Sequence, residues 1–470
     1  MQTGHIQMTA TRRGFLSGLV AAGGVAALPG VAAERSVPFA DVDPYTEDLD
    51  GVTWWKGDTH MHTLLSDGLV FPAEAAALYR RLGYNFIVFT DHDVTPPADG
   101  TWITDQNRYY DRILTPDYFA RFKKNFPELY PEVRVGKNGK KEYRVLPFDE
   151  LAAKVNVRGR FLIVPGNEVT YIAKNGENLH CSLLNLRKPC HSRRYADVPA
   201  CLDDFVAKRD ALVPPDNPDL TMAVICHPLW TAYDVRPDDA IRHPSIRFFE
   251  VNNAGSMVRY QPLPPGDCFT HDRWWDAVNA TRATLGQPLI YGTSGDDQHH
   301  YETQYEGTVN RPGFVRVASK ELTLPALMTA FWKGNFYSSS GIELKSVRFD
   351  RAKNTLSVSV KPEPGRRYRI IFIGSKRGCE TDVRGYVKWH LRNVTPGDLK
   401  LGYSPDRRAP YYSPAVGAVL KVSDSTDSSY TMQPDDLYVR AKVVTDLGVL
   451  PEDRVQTNPV AWTQPILNRK

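Results

Sequence analysis

The sequence has little net charge, few cysteines and no long internal apolar run. Among its 470 residues, 58 Lys+Arg face 54 Asp+Glu, a formal net charge of +4. Arg12 and Arg13 are the only charged residues among the first 33, so the rest carries a net +2. That balance excludes a general nucleic-acid binder, whose phosphate contacts need a clear basic excess. After residue 33 no apolar run reaches the roughly 20 residues that a membrane helix needs. The six cysteines (Cys181, Cys190, Cys201, Cys226, Cys268 and Cys379) form no Cys-x-x-Cys pair, which argues against a thiolate metal motif. Cys181 and Cys226, each beside a histidine in an apolar run, read as small core residues. Cys190 and Cys201 are near enough in sequence for a loop-closing bridge. With 42% hydrophobic and 24% charged residues, the composition is that of a globular protein, long enough for a catalytic domain plus a smaller one.

The opening segment carries an address. Thr11-Arg-Arg-Gly-Phe-Leu16 precedes an uncharged Gly/Ala/Val/Leu stretch that ends at Val31-Ala32-Ala33. It resembles a twin-arginine export signal, with a weakly apolar centre and small residues before a cleavage point. The expectation is a signal over 1–33, delivery by the twin-arginine machinery and a periplasmic or secreted bacterial protein. A short extension over 34–50 follows.

Seven short β-rich runs come next: Thr53–His60, Asn85–Asp91, Phe161–Val169, His180–Leu186, Met222–Pro228, Arg247–Asn253 and Pro288–Asp297. Several are continuously apolar, as parallel strands covered on both faces are. Helical patterns at Pro72–Leu82, Ala200–Ala211 and Asp272–Leu285 lie between some of them. Alternating β and α segments predict an α/β fold built as a seven-stranded βα barrel. Polar residues fall at the strand ends: His60/His62, His92, Glu168, His180, His227 and Asp297/His299. In such barrels residues converge at the strand C-termini to build the active site. His180 opens its run instead of closing it. One buried histidine is commonly a hydrogen-bonded core residue; six at strand ends, with two acids, are not readily core.

His60-Met61-His62 sets two imidazoles two residues apart, on one face of an extended strand. Asp297-Gln298-His299 repeats the spacing. Imidazole and carboxylate without thiolate suit Zn, Mn or Fe, and the donors exceed what one tetrahedral ion takes. These residues, with Thr63, Ser66-Asp67-Gly68, Asp91-His92, Gly166-Asn167-Glu168 and His227-Pro228, resemble the PHP (polymerase and histidinol phosphatase) superfamily over about residues 51–341. The resemblance implies a distorted (βα)7 barrel with two or three divalent ions. His60, His62, Glu168 and Asp297 would hold the first ion. Glu168 would bridge to a second held by His180 and His227, and Asp67, His92 and His299 would hold the third. His299 is preferred over His300 for its Asp-x-His spacing. The run Leu322–Gly341, the strand opening at Asp436 and the segment Asn458–Ile466 resemble the carbaryl-hydrolase (CehA/McbA-type) branch. Residues 345–450 alternate apolar and polar with turn residues, predicting a small antiparallel β-sandwich within a C-terminal domain over 342–470. The polar run Ser423–Ser429 reads as a solvated loop.

A multi-metal site implies hydrolysis by an activated water. The substrate expected is a small phosphate ester, with carboxyl esters or carbamates as the alternative and a non-catalytic metal-stabilised binding protein as a third reading. Asp67 or Asp297 could orient the water. Asp91 and Asp93 read either as carboxylates fixing imidazole tautomers or as helix N-cap or turn residues. Arg259 or His271 could bind an anion or donate a proton, or be ordinary surface residues. Glu250, inside a strand, reads as structural. Residues 98–160 form an insertion with 13 Lys+Arg against 9 Asp+Glu. Its predicted hairpin, Val133–Val145 turning at Asn138-Gly139, is either a lid or a surface hairpin.

Overall fold

The structure, a computed structural model, describes residues 37–47, 49, 51–106, 114–230, 234–255, 270–309, 312–390, 406–445 and 459–470. The segment read as an export signal, Arg259 and Cys268 lie outside the described residues. Regular structure opens with β1 (Thr53–Asp58), α1 (Pro72–Arg81) and β2 (Phe86–Val88). An insertion follows, with β3 (Thr101–Thr104), α2 (Pro116–Asn125), β4 (Val133–Val135), β5 (Lys141–Val145) and α3 (Phe148–Val155). Next come β6 (Leu162–Val164), β7 (Gly166–Ile172), β8 (Asn178–Leu184), α4 (Val198–Leu212) and β9 (Met222–Ile225). The chain continues with α5 (Pro237–Ile241), β10 (Phe248–Asn253), α6 (His271–Thr284), β11 (Tyr291–Gly295) and α7 (Glu302–Tyr305). Then follow β12 (Phe314–Ser319), α8 (Leu324–Trp332) and β13 (Phe336–Ser339).

The apolar runs behave as their composition dictates. Phe86–Val88, Leu162–Val164 and Met222–Ile225 are buried at every residue, which β-branched and aromatic side chains on a doubly covered strand favour. Helix α1 starts at Pro72, whose missing N–H costs nothing in a first turn, and carries Arg80 and Arg81 at its negative end. Helices α4, α6 and α8 are capped by the side chains of Asp197, Thr270 and Thr323.

Strands β1, β2 and β6 pair in parallel, as do β9, β10 and β11. Strand β8 is antiparallel to both β7 and β9. It follows β7 through the tight turn 173–177, where Ala173 N–H donates to the Glu177 carbonyl at 2.9 Å and Gly176 takes a φ of +81°. A turn that short can only reverse the chain. The expected run Phe161–Val169 is also not one strand: Pro165, which has no N–H for a ladder, separates β6 from β7. The two sheets meet through backbone bridges between Met61 and Gln298 and between His92 and Glu168. Both bridges join candidate ligand segments.

The C-terminal strands are β14 (Leu344–Asp350), β15 (Thr355–Val360), β16 (Tyr368–Lys376), β17 (Gly385–His390), β18 (Asp406–Tyr411), β19 (Ala418–Ser423) and β20 (Asp427–Thr431), then β21 (Asp436–Thr445), β22 (Val460–Thr463) and β23 (Ile466–Leu467). One sheet runs β19-β16-β21-β22-β13-β12-β1-β2-β6, so the chain's end extends the sheet that its first strand belongs to. A separate sheet, β14-β15-β20, shares a buried cluster with it that includes Leu344, Val358, Ile370, Phe372 and Val443. The polar run 423–429 is not wholly a loop, because Asp427–Ser429 belong to β20 and pair with β15. Alternating Ser and Asp there face outward while the backbone completes a ladder. The insertion's hairpin turns at 136–140, with Gly136 N–H donating to the Lys140 carbonyl at 2.8 Å and Gly139 at φ +74°.

Candidate metal centre

Nine side chains expected as ligands meet in one cluster at the junction of the two sheets. Candidate ion-holding groups are His60/His62/Glu168, His60/His227/Asp297, His92/Glu168/His180 and His62/Asp67/His92/His299. Shared members make them one continuous site. His60 and His62 follow the end of β1, and their ring Nε2 atoms are 3.2 Å apart, as the same-face spacing requires. Glu168 lies at the centre. Its Oε1 is 3.3 Å from His60 Nε2, 3.1 Å from His180 Nδ1 and 3.3 Å from His227 Nε2. Its Oε2 is 2.9 Å from His92 Nδ1 and 3.5 Å from His62 Nε2. Asp297 Oδ1 stands 3.0 Å from His62 Nε2 and 3.4 Å from His60 Nε2. Asp67 Oδ2 is 3.1 Å from His299 Nε2 and 3.4 Å from His92 Nε2. The reversed direction of β8 explains why His180 works from a strand's beginning: it lies opposite Thr170, two residues beyond Glu168.

Electrostatics separate the cluster into anions and proton holders. Burial opposes ionisation of Glu168, Asp297 and Asp67, yet the surrounding imidazoles hold all three well below the usual carboxylate range. Burial likewise opposes a charge on His60, but Glu250, Asp297 and Glu168 raise it well above an ordinary imidazole. His299 is pushed up to about 9 against burial, mainly by its hydrogen bond to Asp67. Burial and the neighbouring His299 and His92 bring His62 down to about 4. Three carboxylates thus draw protons onto imidazoles, which a divalent cation would displace.

The donor set fits divalent ions. The His60 Nδ1–H donates to Glu250 Oε1 at 2.7 Å, and the His299 Nδ1–H donates to the Asp297 carbonyl at 2.8 Å. Both bonds anchor the Nδ1 proton, so Nε2, which faces the carboxylates, is the nitrogen that would give up its proton to a cation. Glu168 Oε2 is buried and, although close to His92 Nδ1, has no aligned hydrogen bond. A buried anion without an aligned donor, ringed by imidazole nitrogens, is what a cation satisfies.

The residues around the ligands correct several expectations. Glu250 is the carboxylate that sets an imidazole tautomer: besides His60, it accepts the His227 backbone N–H at 2.9 Å and Asn253 Nδ2 at 2.8 Å. Its place in the apolar run FFEVNN hides this, because the partner His60 is 190 residues away. The one available signal was a charged residue in an otherwise buried strand. Asp91 instead holds the loop that delivers Asp67. It accepts from Thr63 N–H at 2.7 Å, Thr63 Oγ1 at 2.8 Å and Ser66 Oγ at 2.6 Å, and burial raises it to about 6. Asp93 is a turn residue at φ +52°, taking Ser192 N–H and Oγ. Cys226 is buried as expected, but its thiol sits within the His60/Glu250 group and 3.2 Å from Ser182 Oγ. Cys190 and Cys201 are free thiols in one buried cluster.

His271 is the first residue of α6, and burial brings its imidazole down to about 4. Beneath the site Asp58 and Asp296 form a buried pair. Burial raises both, Asp296 to about 6. Asp58 Oδ1 also accepts the N–H groups of His60 and Asp296, which ties the two ligand segments together.

No family model matches the chain, and no curated protein matches it. Among solved structures, it is similar to a two-domain protein from Bacteroides vulgatus containing a predicted PHP-like metal-dependent phosphoesterase. That likeness covers 81% of this chain and all of the other, at 16% identity and a TM-score of 0.36. So distant a likeness carries no argument about activity; the site's own geometry does. Among the described residues no helix is long and apolar enough to cross a membrane.

Proposed function

We propose that this chain is a metal-dependent hydrolase of the PHP type, acting most readily on small phosphate esters. The observation that carries the reading is the convergence of nine imidazole and carboxylate donors, Glu168 among them, in one continuous cluster. We place His60, His62, Glu168 and Asp297 on one ion, His180 and His227 with Glu168 on a second, and Asp67, His92 and His299 on a third. Zn, Mn or Fe bound there supplies Lewis acidity and a water acidified toward neutrality. The chain's own part is positional. Asp67 or Asp297 would orient the attacking water, and Asp91 fixes the Thr63–Ser66 loop so that Asp67 stays aimed. Glu250 and the Asp297 carbonyl keep the tautomers of His60 and His299.

The seven strands β1, β2, β6–β7, β8, β9, β10 and β11 are read as the distorted barrel, and the sheet β14-β15-β20 with the β19-β16-β21-β22 part of the long sheet as a β-sandwich. The Arg12-Arg13 segment is read as a twin-arginine signal for a periplasmic or secreted protein. Resemblance of Leu322–Gly341 to the carbaryl-hydrolase branch favours a second reading, carboxyl-ester or carbamate hydrolysis on the same centre. A screen of phosphomonoesters, phosphodiesters, carboxyl esters and carbamates with Mn- and Zn-loaded protein decides between them. Turnover of phosphate esters with inhibition by inorganic phosphate supports the first reading. Turnover confined to carboxyl esters or carbamates supports the second. Ion binding without any hydrolysis leaves a metal-stabilised binding protein.

A further inference from the structure

Strand β11 ends at Gly295, two residues before Asp297, and lies at the edge of its sheet, with a neighbour strand on one side only. On that side Tyr291 N–H donates to the Arg247 carbonyl, so the alternate residues Gly292, Ser294 and Asp296 turn their backbone groups to the open side. Side chains meet them there. Gly292 N–H donates to Gln464 Oε1 at 2.8 Å, and Gln464 Nε2 donates to the Gly292 carbonyl at 2.9 Å. Ser338 Oγ donates to the same carbonyl at 2.7 Å. Thr59 Oγ1 donates to the Ser294 carbonyl at 3.2 Å, and Asp296 N–H donates to Asp58 Oδ1 at 3.2 Å. Backbone pairing resumes only at Asp297, whose N–H donates to the His60 carbonyl at 2.9 Å.

We infer that Gln464 is a positioning residue: its carboxamide stands in for a missing strand and holds β11 in the register that delivers Asp297 to the centre. A primary amide carries the same donor and acceptor as a peptide group, so it can pair both groups of Gly292 at once. Gln464 is fully buried, and its own N–H donates to the Tyr45 hydroxyl at 2.8 Å, which fixes the carboxamide's origin. Position 292 itself has little room for a side chain: a Cβ there would stand 3.0 Å from Val251 and 3.1 Å from Trp275. The segment 459–466 therefore has a task, carried by Gln464, that its sequence pattern does not reveal. It reaches 172 residues back to set a strand of the site.

The inference rests on the reading of Asp297 as an ion ligand, and its test has a part that does not. In Gln464→Leu both Gly292 groups lose their partner from the C-terminal segment. Amide exchange in the ion-free protein should accelerate across residues 291–297 while β9 and β10 stay protected. Affinity for Mn or Zn, measured by chelator competition, should fall on the order of tenfold, as it does when a group behind a ligand is lost. The phosphoesterase kcat should fall with it while KM holds. Gln464→Glu keeps an acceptor for the Gly292 N–H and should give a smaller effect, which also serves if the leucine variant fails to fold. Ser338→Ala, which leaves both carboxamide bonds, should bind ions as the wild type does. Unchanged exchange at 291–297, or a lowered Tm with unaltered ion affinity, overturns the positioning role. If the wild type binds no ion, the metal reading has failed, and the exchange result alone then judges the clamp.

Discussion

Replacing Glu250 by Gln tests whether a buried carboxylate sets the ligand geometry. The two oxygens of Glu250 serve three donors: Oε1 takes the His60 Nδ1–H, while Oε2 takes the His227 N–H and Asn253 Nδ2. Glutamine is the same size but has one acceptor oxygen. Whichever way its amide turns, an NH2 group faces a former donor. If it faces His60, that imidazole must move its proton to Nε2, the nitrogen aimed at Glu168 and Asp297, and ligation is blocked. If it faces the other side, two donors lose their acceptor at the His227 turn. A hydrogen bond to a charged group contributes about 1.5–3 kcal/mol. At about 1.4 kcal/mol per decade, that is roughly a 10- to 100-fold loss of ion affinity. Chelator competition against Mn and Zn measures it, with Tm recorded on the ion-free protein as the control for folding. Affinity within about twofold of wild type would refute the claim that Glu250 orients His60.

Three further outcomes concern groups outside the centre. Glu74 is buried under the hydroxyls of Tyr118 and Tyr305, and burial raises it to about 8. The folded state keeps its proton, so its contribution is complete below the unfolded value near 4.5 and is lost as pH rises through about 8. Urea unfolding at pH 5 and pH 8.5 should therefore show a decline in wild-type stability, at most a few kcal/mol, that Glu74→Gln reduces; equal declines in both would contradict it. Arg440 is fully buried and paired bidentately with Asp276 at 2.7–2.9 Å and with Asp272 at 2.9 Å. Arg440→Ala should lower stability by about 3–5 kcal/mol, because it strands buried carboxylates of α6; a change under about 1 kcal/mol in urea unfolding would argue against that. Deleting Gly136–Lys141 should raise KM if the hairpin is a lid over substrate, and an unaltered KM makes it a surface hairpin.

The clustered imidazoles and carboxylates, as candidate ligands, were legible because their signals are local. A His-x-His or Asp-x-His pair at a strand end states its own geometry, and order along the chain supplies the rest. The helices over Pro72–Leu82, Ala200–Ala211 and Asp272–Leu285 lie within two residues of α1, α4 and α6, since capping and periodicity are also local. Strand direction was not legible, because an apolar run reads alike both ways and only the five-residue turn after β7 reveals the reversal of β8. Glu250, Asp58 and Gln464 escaped for a different reason. Their roles are set by partners 190, 238 and 172 residues away, and nothing in a strand's composition marks which buried polar group faces a ligand. The continuity of the C-terminal strands with β1 escaped as well, since pairing between distant strands leaves no periodic trace.

The most direct measurement is a titration of Mn or Zn into chelator-stripped protein, following phosphomonoester hydrolysis against ions bound per chain. The stripped protein should show no turnover, and activity should rise to a plateau at two or three ions. Hydrolysis that persists without ions, or a fully loaded centre that cleaves no phosphate ester, would contradict a metal-dependent phosphoesterase.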